Sequence, residues 1–312
     1  MNVTFITTVF NEEKTINKLL ESLLAQSRMP DEIIIVDGGS SDQTVEKIKD
    51  QRVKSKDYNG KFLVIVKPGN RSVGRNKAIK NSTGDIIVCS DAGCILDKYW
   101  IEEIVKPFKN NATDVVAGYY KGSSNNIFQK CLVPYVLVMP DKVNPDNFLP
   151  ASRSMAFRKS VWEKSGGFPE EFSHNEDYVF ARKLKNMNYS IAFCKQAFVY
   201  WIPRRNLREA SYMFYRFSLG DAESKAFRPK VGIIFIRYIL GILLLYFAII
   251  RDSYVLSVTL ALLVFFYFIW AIEKNYKYVK DLKAIIILPV LQIVSDLAVV
   301  LGTIIGIFKY GL

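Results

Sequence analysis

The sequence predicts an α/β domain on a mostly parallel central sheet, followed by a C-terminal transmembrane helical region. Three observations predict it. Residues 33–36 (Ile-Ile-Ile-Val) are apolar without alternation, as in a strand buried on both faces, and stop on Asp37-Gly38-Gly39-Ser40-Ser41-Asp42. Asp85-Ile86-Ile87-Val88-Cys89-Ser90 repeats the pattern and stops on Asp91-Ala92-Gly93. Beyond Lys230 come three long apolar runs. Ligands of open α/β sheets sit at the carboxyl ends of the strands, so Asp37 and Asp91 bring two carboxylates to one sheet edge.

At 312 residues the chain has room for one large core and a further element. The formal charge of +12 suits an anionic partner such as a nucleotide or lipid headgroups. Nucleic acid is set aside, because no recognised binding motif is present and the chain enters a membrane. Cys89, Cys94, Cys131 and Cys194 form no Cys-x-x-Cys pair, and the single His174 speaks against zinc. Thiols in a reducing cytosol are therefore expected. Met1 leads straight into a strand-like run, without the charged start and cleavage site of an export signal.

Taken in order, residues 3–9 read as a first strand. Asn11 is the expected N-cap of a helix, with Glu12 and Glu13 favourable at its start. Ile16, Leu19, Leu20, Leu23 and Leu24 give that helix one apolar stripe facing the sheet. The 33–36 strand then completes a βαβ unit with a right-handed crossover. Its first turn lacks Gly-x-Gly-x-x-Gly, which counts against a dinucleotide-dependent dehydrogenase. The acid at Asp37 beside two glycines suits sugar hydroxyls or a base N–H, although an Asx-turn would use it as well. Asp42 reads as the cap of a helix over 42–50. A strand over 62–66 precedes a glycine-punctuated loop, 68–79, that enters a helix and carries Arg71 and Arg75. The planar fork of Arg75 suits a diphosphate or base edge, and Arg71 reads as solvated surface. A helix over 99–108, a strand over 115–120, a partly apolar helix over 125–139, a return to the sheet over 148–159 and a turn at 165–169 follow. His174-Asn175-Glu176-Asp177 then opens a helix over 178–186.

Val9-Phe10-Asn11-Glu12-Glu13, Ile35-Val36-Asp37-Gly38-Gly39-Ser40-Ser41-Asp42-Gln43-Thr44, Gly74-Arg75-Asn76 and Asp91-Ala92-Gly93 stand in this order. Together they resemble the motifs of family 2 glycosyltransferases with the GT-A fold, over about residues 3–220. Among these the chain is similar to membrane-anchored polyprenyl- and dolichyl-phosphate sugar transferases and related lipid-acceptor enzymes. The resemblance implies a GT-A nucleotide-sugar-binding domain over 1–203. It implies donor binding by Val9, Glu12, Asp37, Arg75, Asp91 and Gly93, with Asp37 and Glu12 on the nucleoside and Arg75 on the base or diphosphate. Asp91 would open the family's Asp-x-Asp motif, but Gly93 replaces its second acid. Asp91 with phosphates and water would then hold the divalent cation, Mg²⁺ or Mn²⁺. Ser152 and Arg153 match the segment before the acceptor site. In the family an Asp of the Glu-Asp pair is the general base, which points to Asp177 with Glu176 beside it. An inverting transfer needs such a carboxylate to take the acceptor proton; helix capping would account for the same pair. His174 reads as a turn residue or a proton relay.

Residues 204–230 read as a basic, aromatic interfacial helix region. Its Arg208 and Arg216 are assigned by the resemblance to the acceptor or diphosphate side. The transmembrane region, 231–312, would hold three helices, about 232–250, 254–272 and 284–308. Lys274, Lys277, Lys280 and Lys283 place the 273–283 loop and the catalytic domain in the cytosol, and Leu312 outside. Arg237 is expected to snorkel, and Asp296 near Gln292 invites either a functional role or interhelical hydrogen bonding. The expected protein is a multi-pass membrane enzyme. It would move a sugar by inversion from a UDP- or GDP-linked donor to a polyprenyl-phosphate lipid or lipid-linked glycan. The alternatives are a processive polysaccharide synthase, for which no Gln-x-x-Arg-Trp motif is found, and a non-catalytic nucleotide-sugar-binding protein.

Overall fold

β1 (Val3–Val9) and β2 (Glu32–Asp37) lie side by side in parallel, with Val9 opposite Asp37. They belong to a computed structural model that describes residues 1–55 and 58–311; Leu312, assigned above to the outer side, lies outside the described residues. Between them α1 (Ile16–Leu24) buries Ile16, Leu19, Leu20 and Leu23. α2 (Thr44–Lys54) leads to β3 (Lys61–Val66), and α3 (Arg71–Lys80) to β4 (Ile86–Cys89). The four strands pair in parallel in the order β3-β2-β1-β4, so their carboxyl ends share one edge. Every residue of β2 and β4 is buried, as their unbroken apolar runs require.

The sheet continues through strands of both directions. β5 (Cys94–Leu96) and α4 (Trp100–Val105) precede β6 (Val115–Gly122), and β7 (Met155–Arg158) runs antiparallel between β4 and β6. In chain order α5 (Ile127–Val136) falls between β6 and β7. After β7 come α6 (Lys159–Ser165), α7 (Glu176–Asn186) and β8 (Ile191–Trp201). β8 pairs in parallel with β6 and antiparallel with β5, giving the order β3-β2-β1-β4-β7-β6-β8-β5.

Several local expectations change. Asn11 is not a helix cap: its φ is 55°, α1 begins only at Ile16, and the Asn11 side chain accepts from the Ser41 N–H at 2.9 Å. Asp42 stands one residue before the cap position of α2 and accepts from the N–H groups of Thr44 (3.0 Å) and Glu13 (3.1 Å). Within the 68–79 loop, Asn70 caps α3 by accepting from the Val73 N–H, so most of that loop is helix.

The chain divides into two compact units, one of residues 1–123 and 138–202, the other of 124–137 and 203 onward. The helix α5 thus joins the C-terminal elements, because an apolar segment without sheet partners packs among helices. The second unit adds α8 (Leu207–Glu223), α9 (Pro229–Ile250), α10 (Tyr254–Val279) and α11 (Ala284–Tyr310). The last three are each long and apolar enough to cross a membrane. Lys274 and Lys277 prolong α10 instead of forming a loop, leaving 280–283 as the connection. Arg237 pairs with Asp296, which also accepts from Gln292 at 2.9 Å and from the Tyr267 hydroxyl.

Candidate active site

At the end of β2 the Asp37 side chain is buried and turned into its own turn. It accepts from the N–H groups of Gly39 and Ser40, each at 2.9 Å, and from the Ser40 hydroxyl. Gly39 has a φ of +96°, which a Cβ would oppose. The neighbouring β1 turn is laced to this one. Gly38 N–H donates to the Val9 carbonyl at 2.8 Å, Asn11 N–H to the Ser40 hydroxyl at 2.8 Å, and Glu12 N–H to the Thr44 hydroxyl at 2.8 Å. The Glu12 carboxylate takes the Thr15 hydroxyl. Val9, Glu12 and Asp37 therefore share one edge, with three acceptor positions on Asp37 already filled by its own turn.

A second cluster forms around Arg75. α3 lies hard against the sheet at Gly74, where a Cβ would come within 2.6 Å of the Thr8 side chain. The next residue, Arg75, is 1% exposed and points inward. Its guanidinium donates to Glu176 at 2.8 Å, to Asp91 at 3.1 Å and to the Ser152 hydroxyl at 2.9 Å, and lies 5.4 Å from the Phe168 ring centroid. The guanidinium of Arg75, expected at a base or diphosphate, thus makes three hydrogen bonds to protein groups. Ser152 in turn donates through its N–H (3.1 Å) and hydroxyl (3.2 Å) to Asp177. The end of β4, the turn before β7 and the start of α7 meet at one arginine.

Burial alone would raise the Asp91 and Glu176 carboxyls, but the charges of Arg75 and Arg71 hold both below the usual carboxylate range. For Asp91, Arg153 and the Ser152 hydroxyl add to the effect. Arg75 itself is raised, because Glu176 and Asp91 outweigh the burial that would strip its proton. Beside it the Cys89 thiol is pushed up to about 12, chiefly by burial, and is no nucleophile at neutral pH. Glu176 is buried on Arg75, whereas the Asp91 side chain keeps 36% of its surface exposed. A Cβ at Gly93 would meet nothing within 4 Å, so there is open space beside Asp91. Among the described residues no group of three His, Cys, Asp or Glu side chains forms a metal site.

Arg153 lies 5.7 Å from the Tyr120 ring and 5.5 Å from the Trp201 ring. Arg208 and Arg216 belong to α8 in the second unit; Arg208 is exposed and Arg216 lies 5.8 Å from the Tyr212 ring. Sequence reasoning placed Asn76 in the Gly74-Arg75-Asn76 motif without giving it a role. It accepts from the Trp162 indole and the Phe168 N–H, both at 2.9 Å, and donates to the Phe168 carbonyl and Glu170 at 2.8 Å. It fastens the segment leading into α7, and its sequence signal is that motif. Gly166 and Gly167 make the turn that meets it, with φ of +77° and +79°.

A β3-β2-β1-β4 parallel sheet extended by antiparallel strands, with Asp37 and Asp91 at one edge, makes a GT-A-like α/β domain. The profile of glycosyl transferase family 2 matches residues 4–162, and the chain belongs to that family. It is 26% identical over 223 residues to the O-antigen chain rhamnosyltransferase RfbN of Salmonella typhimurium, covering 64% of this chain and 66% of that protein. Over 111 residues it is 33% identical to the poly-beta-1,6-N-acetyl-D-glucosamine synthase of Staphylococcus aureus, covering 35% of this chain and 26% of that protein. The chain thus spans just under two thirds of the first relative and about a quarter of the second. In fold it is similar to the mannosyltransferase PcManGT of Pyrobaculum calidifontis, solved with GDP-Man and Mn²⁺. The TM-score is 0.66 at 15% identity, covering 94% of this chain and 87% of that one.

Proposed function

We propose that this chain is an inverting glycosyltransferase with Asp177 as general base. It would transfer a sugar from a UDP- or GDP-linked donor to a polyprenyl-phosphate lipid or lipid-linked glycan at the membrane. The observation that carries the reading is the single buried guanidinium of Arg75. It fastens Asp91, at the end of a central strand, to Glu176 and, through Ser152, to Asp177. A donor-side carboxylate and a carboxylate able to accept a proton are thus held in one rigid frame. On a lipid-linked glycan, Asp177 would take the proton of the acceptor hydroxyl as that oxygen bonds to the anomeric carbon, while the carbon–phosphate-oxygen bond breaks and the nucleoside diphosphate leaves. Arg153 would face the donor diphosphate, and Arg208 and Arg216 an anionic acceptor headgroup.

A divalent cation fits this arrangement. Asp91 retains exposed surface and open space lies at Gly93, so one carboxylate with water and diphosphate oxygens makes a hydrated, oxygen-only site of the kind Mg²⁺ accepts. The cation would neutralise charge on the departing diphosphate. PcManGT, similar in fold, is solved with a nucleotide sugar and Mn²⁺. The lysines around 274–283 favour a cytosolic catalytic side. Kinship to a polysaccharide synthase over a third of the chain supports a second reading, processive synthesis, which product length on a defined lipid acceptor distinguishes.

Asp177→Asn tests the base. The variant keeps size and a side-chain oxygen for the Ser152 donors but takes up no proton at neutral pH. It should bind donor with unchanged affinity by calorimetry and melt within a few degrees of the parent. Transfer should fall by roughly 10²–10⁴-fold. Near-normal transfer rejects the assignment, and a larger loss in Glu176→Gln moves the base back one residue.

A further inference from the structure

α11 has the length and composition of a third membrane span, yet its packing differs from that of its neighbours. In its apolar stretch 39% is buried within the protein, against 6% in each of α9 and α10. The buried stripe includes Ser295, Ala298, Gly302 and Gly306, and what covers it is α8. A Cβ at Gly302 would lie 2.5 Å from the Tyr215 carbonyl oxygen and 3.0 Å from the Ser218 Cβ. A Cβ at Gly306 would lie 2.5 Å from the Ala222 Cβ. Moving one turn along α11 moves one turn along α8 in the same sense, so the helices run parallel and in close contact.

The partner helix does not belong in hydrocarbon. It carries Arg208, Glu209, Arg216, Asp221 and Glu223, a density of charge that the bilayer interior excludes. At its end Asp221 pairs with Arg228 at 3.3 Å, immediately before Pro229 opens α9. With α9 entering the membrane from Pro229, the Asp221–Arg228 pair stands on the entry side, and Gly306 packs against the residue next to Asp221. The α9–α10 hairpin brings the other end of α11 to that side as well. α9 and α10 form a hairpin turning at 251–253, which brings Arg237 to 4.7 Å from the Tyr267 ring and returns the end of α10 to the side where α9 began. α11 starts only a few residues later, at Ala284. A helix with both ends on one side does not cross.

We propose that α11 lies in the plane of one leaflet, with α8 on its water side, and that the chain crosses the membrane twice, by the α9–α10 hairpin. The occupant of the outward face of α11 is the hydrocarbon of that leaflet. Ile286, Leu297, Leu301 and Phe308 are exposed on this face, continuous with the apolar surface of the hairpin. Lys225, Lys230, Lys283 and Lys309 frame the helix pair with positive charge that fits an anionic phospholipid surface. The last residues then return to the α8 side instead of emerging on the far side. The proposal stands apart from the catalytic reading, since it concerns only the second unit.

The test is thiol labelling of the full chain in sealed, oriented vesicles with a membrane-impermeant maleimide, before and after permeabilisation. Arg251→Cys reports the hairpin tip, Leu282→Cys the connection before α11, and Lys309→Cys the end of α11; all three positions are exposed. The four native cysteines are buried, and the parent chain gives their background. Lys309→Cys should label from the same side as Leu282→Cys, with Arg251→Cys labelling from the other. A cysteine added after the last residue repeats the readout should Lys309→Cys fold poorly. Labelling of position 309 from the Arg251 side establishes a third crossing and overturns the proposal. So does a position 309 that reacts from neither side, or labelling of Arg251→Cys and Leu282→Cys from one side.

Discussion

Arg75 carries three protein partners and is almost wholly out of water, so its removal leaves Glu176 as a buried, uncompensated carboxylate. Breaking such a pair from one side typically costs 3–5 kcal/mol, about the amount expected for Arg75→Met. The pH dependence has a definite sign. In the parent, the Glu176 carboxyl lies below its ordinary value, so its stabilising contribution is complete above the ordinary carboxylate range and fades as pH falls through the depressed one. In Arg75→Met the burial that raises this carboxyl is opposed only by Arg71 and a backbone N–H, and acid relieves the penalty by protonation. The stability gap between parent and variant, measured by denaturant unfolding, should therefore narrow between pH 7 and pH 4.5; a constant gap would mean that Glu176 is not the group left stranded. Gly93 offers the converse change. With open space at its Cβ position, Gly93→Asp should leave the melting temperature unchanged and restore a second acid beside Asp91. The Mg²⁺ or Mn²⁺ concentration giving half-maximal transfer should drop on the order of tenfold, since affinity for hard cations follows ligand charge count. An unchanged metal requirement would place the cation away from this turn.

At the scale of elements, the segments whose periodicity was strongest were readable from sequence: β2, β4, the stripe of α1 and the three apolar helices. What depended on distant partners was not. The residues of β8 are half-buried and interrupted by Lys195 and Gln196, so no clean alternation announces an eleven-residue strand. β5 is three residues long and exists because β8 pairs with it. Of the site, Asp91, Glu176 and Asp177 could be singled out, but the inward turn of Arg75 depends on Glu176, a hundred positions away, and the clamp of Asn76 on Phe168 is equally remote. Glu32 shows the same limit. It opens β2 just after Asp31, ahead of the apolar run, and accepts from the Thr4 hydroxyl at 2.6 Å, the Thr83 N–H and hydroxyl at 2.8 Å, and Lys61 at 3.2 Å. Burial would raise its carboxyl, yet these donors lower it to about 2. Glu32→Gln should therefore lose about 1–3 kcal/mol at pH 7. The difference should persist down to the unfolded value near 4.5 and shrink as pH approaches about 2, where the parent protonates as well. Circular-dichroism melts across that window would expose a different origin if the gap stayed constant.

For the molecule as a whole, the three apolar helices are held by packing and by a shared polar network. Arg237 of α9 pairs with Asp296 of α11, and Tyr267 of α10 donates to the same carboxylate. Gln292 connects Asp296 (2.9 Å) to Lys274 (3.1 Å). All three apolar helices thus contribute to one charged cluster, and the Arg237 guanidinium lies over the Tyr267 ring as well. In an apolar setting the two charges are tolerable only together. Asp296→Leu leaves a guanidinium without its counter-charge, and Arg237→Leu leaves a carboxylate that is 3% exposed. Each single change should cost about 3–5 kcal/mol in reversible unfolding from detergent micelles. The double variant removes both charges and fills the space with apolar side chains, so its loss should not exceed that of either single change. The resulting coupling would be several kcal/mol. Additive losses would show that Asp296 is held by Tyr267 and Gln292 independently of Arg237, and α9 would then be fastened to α11 by apolar contact alone.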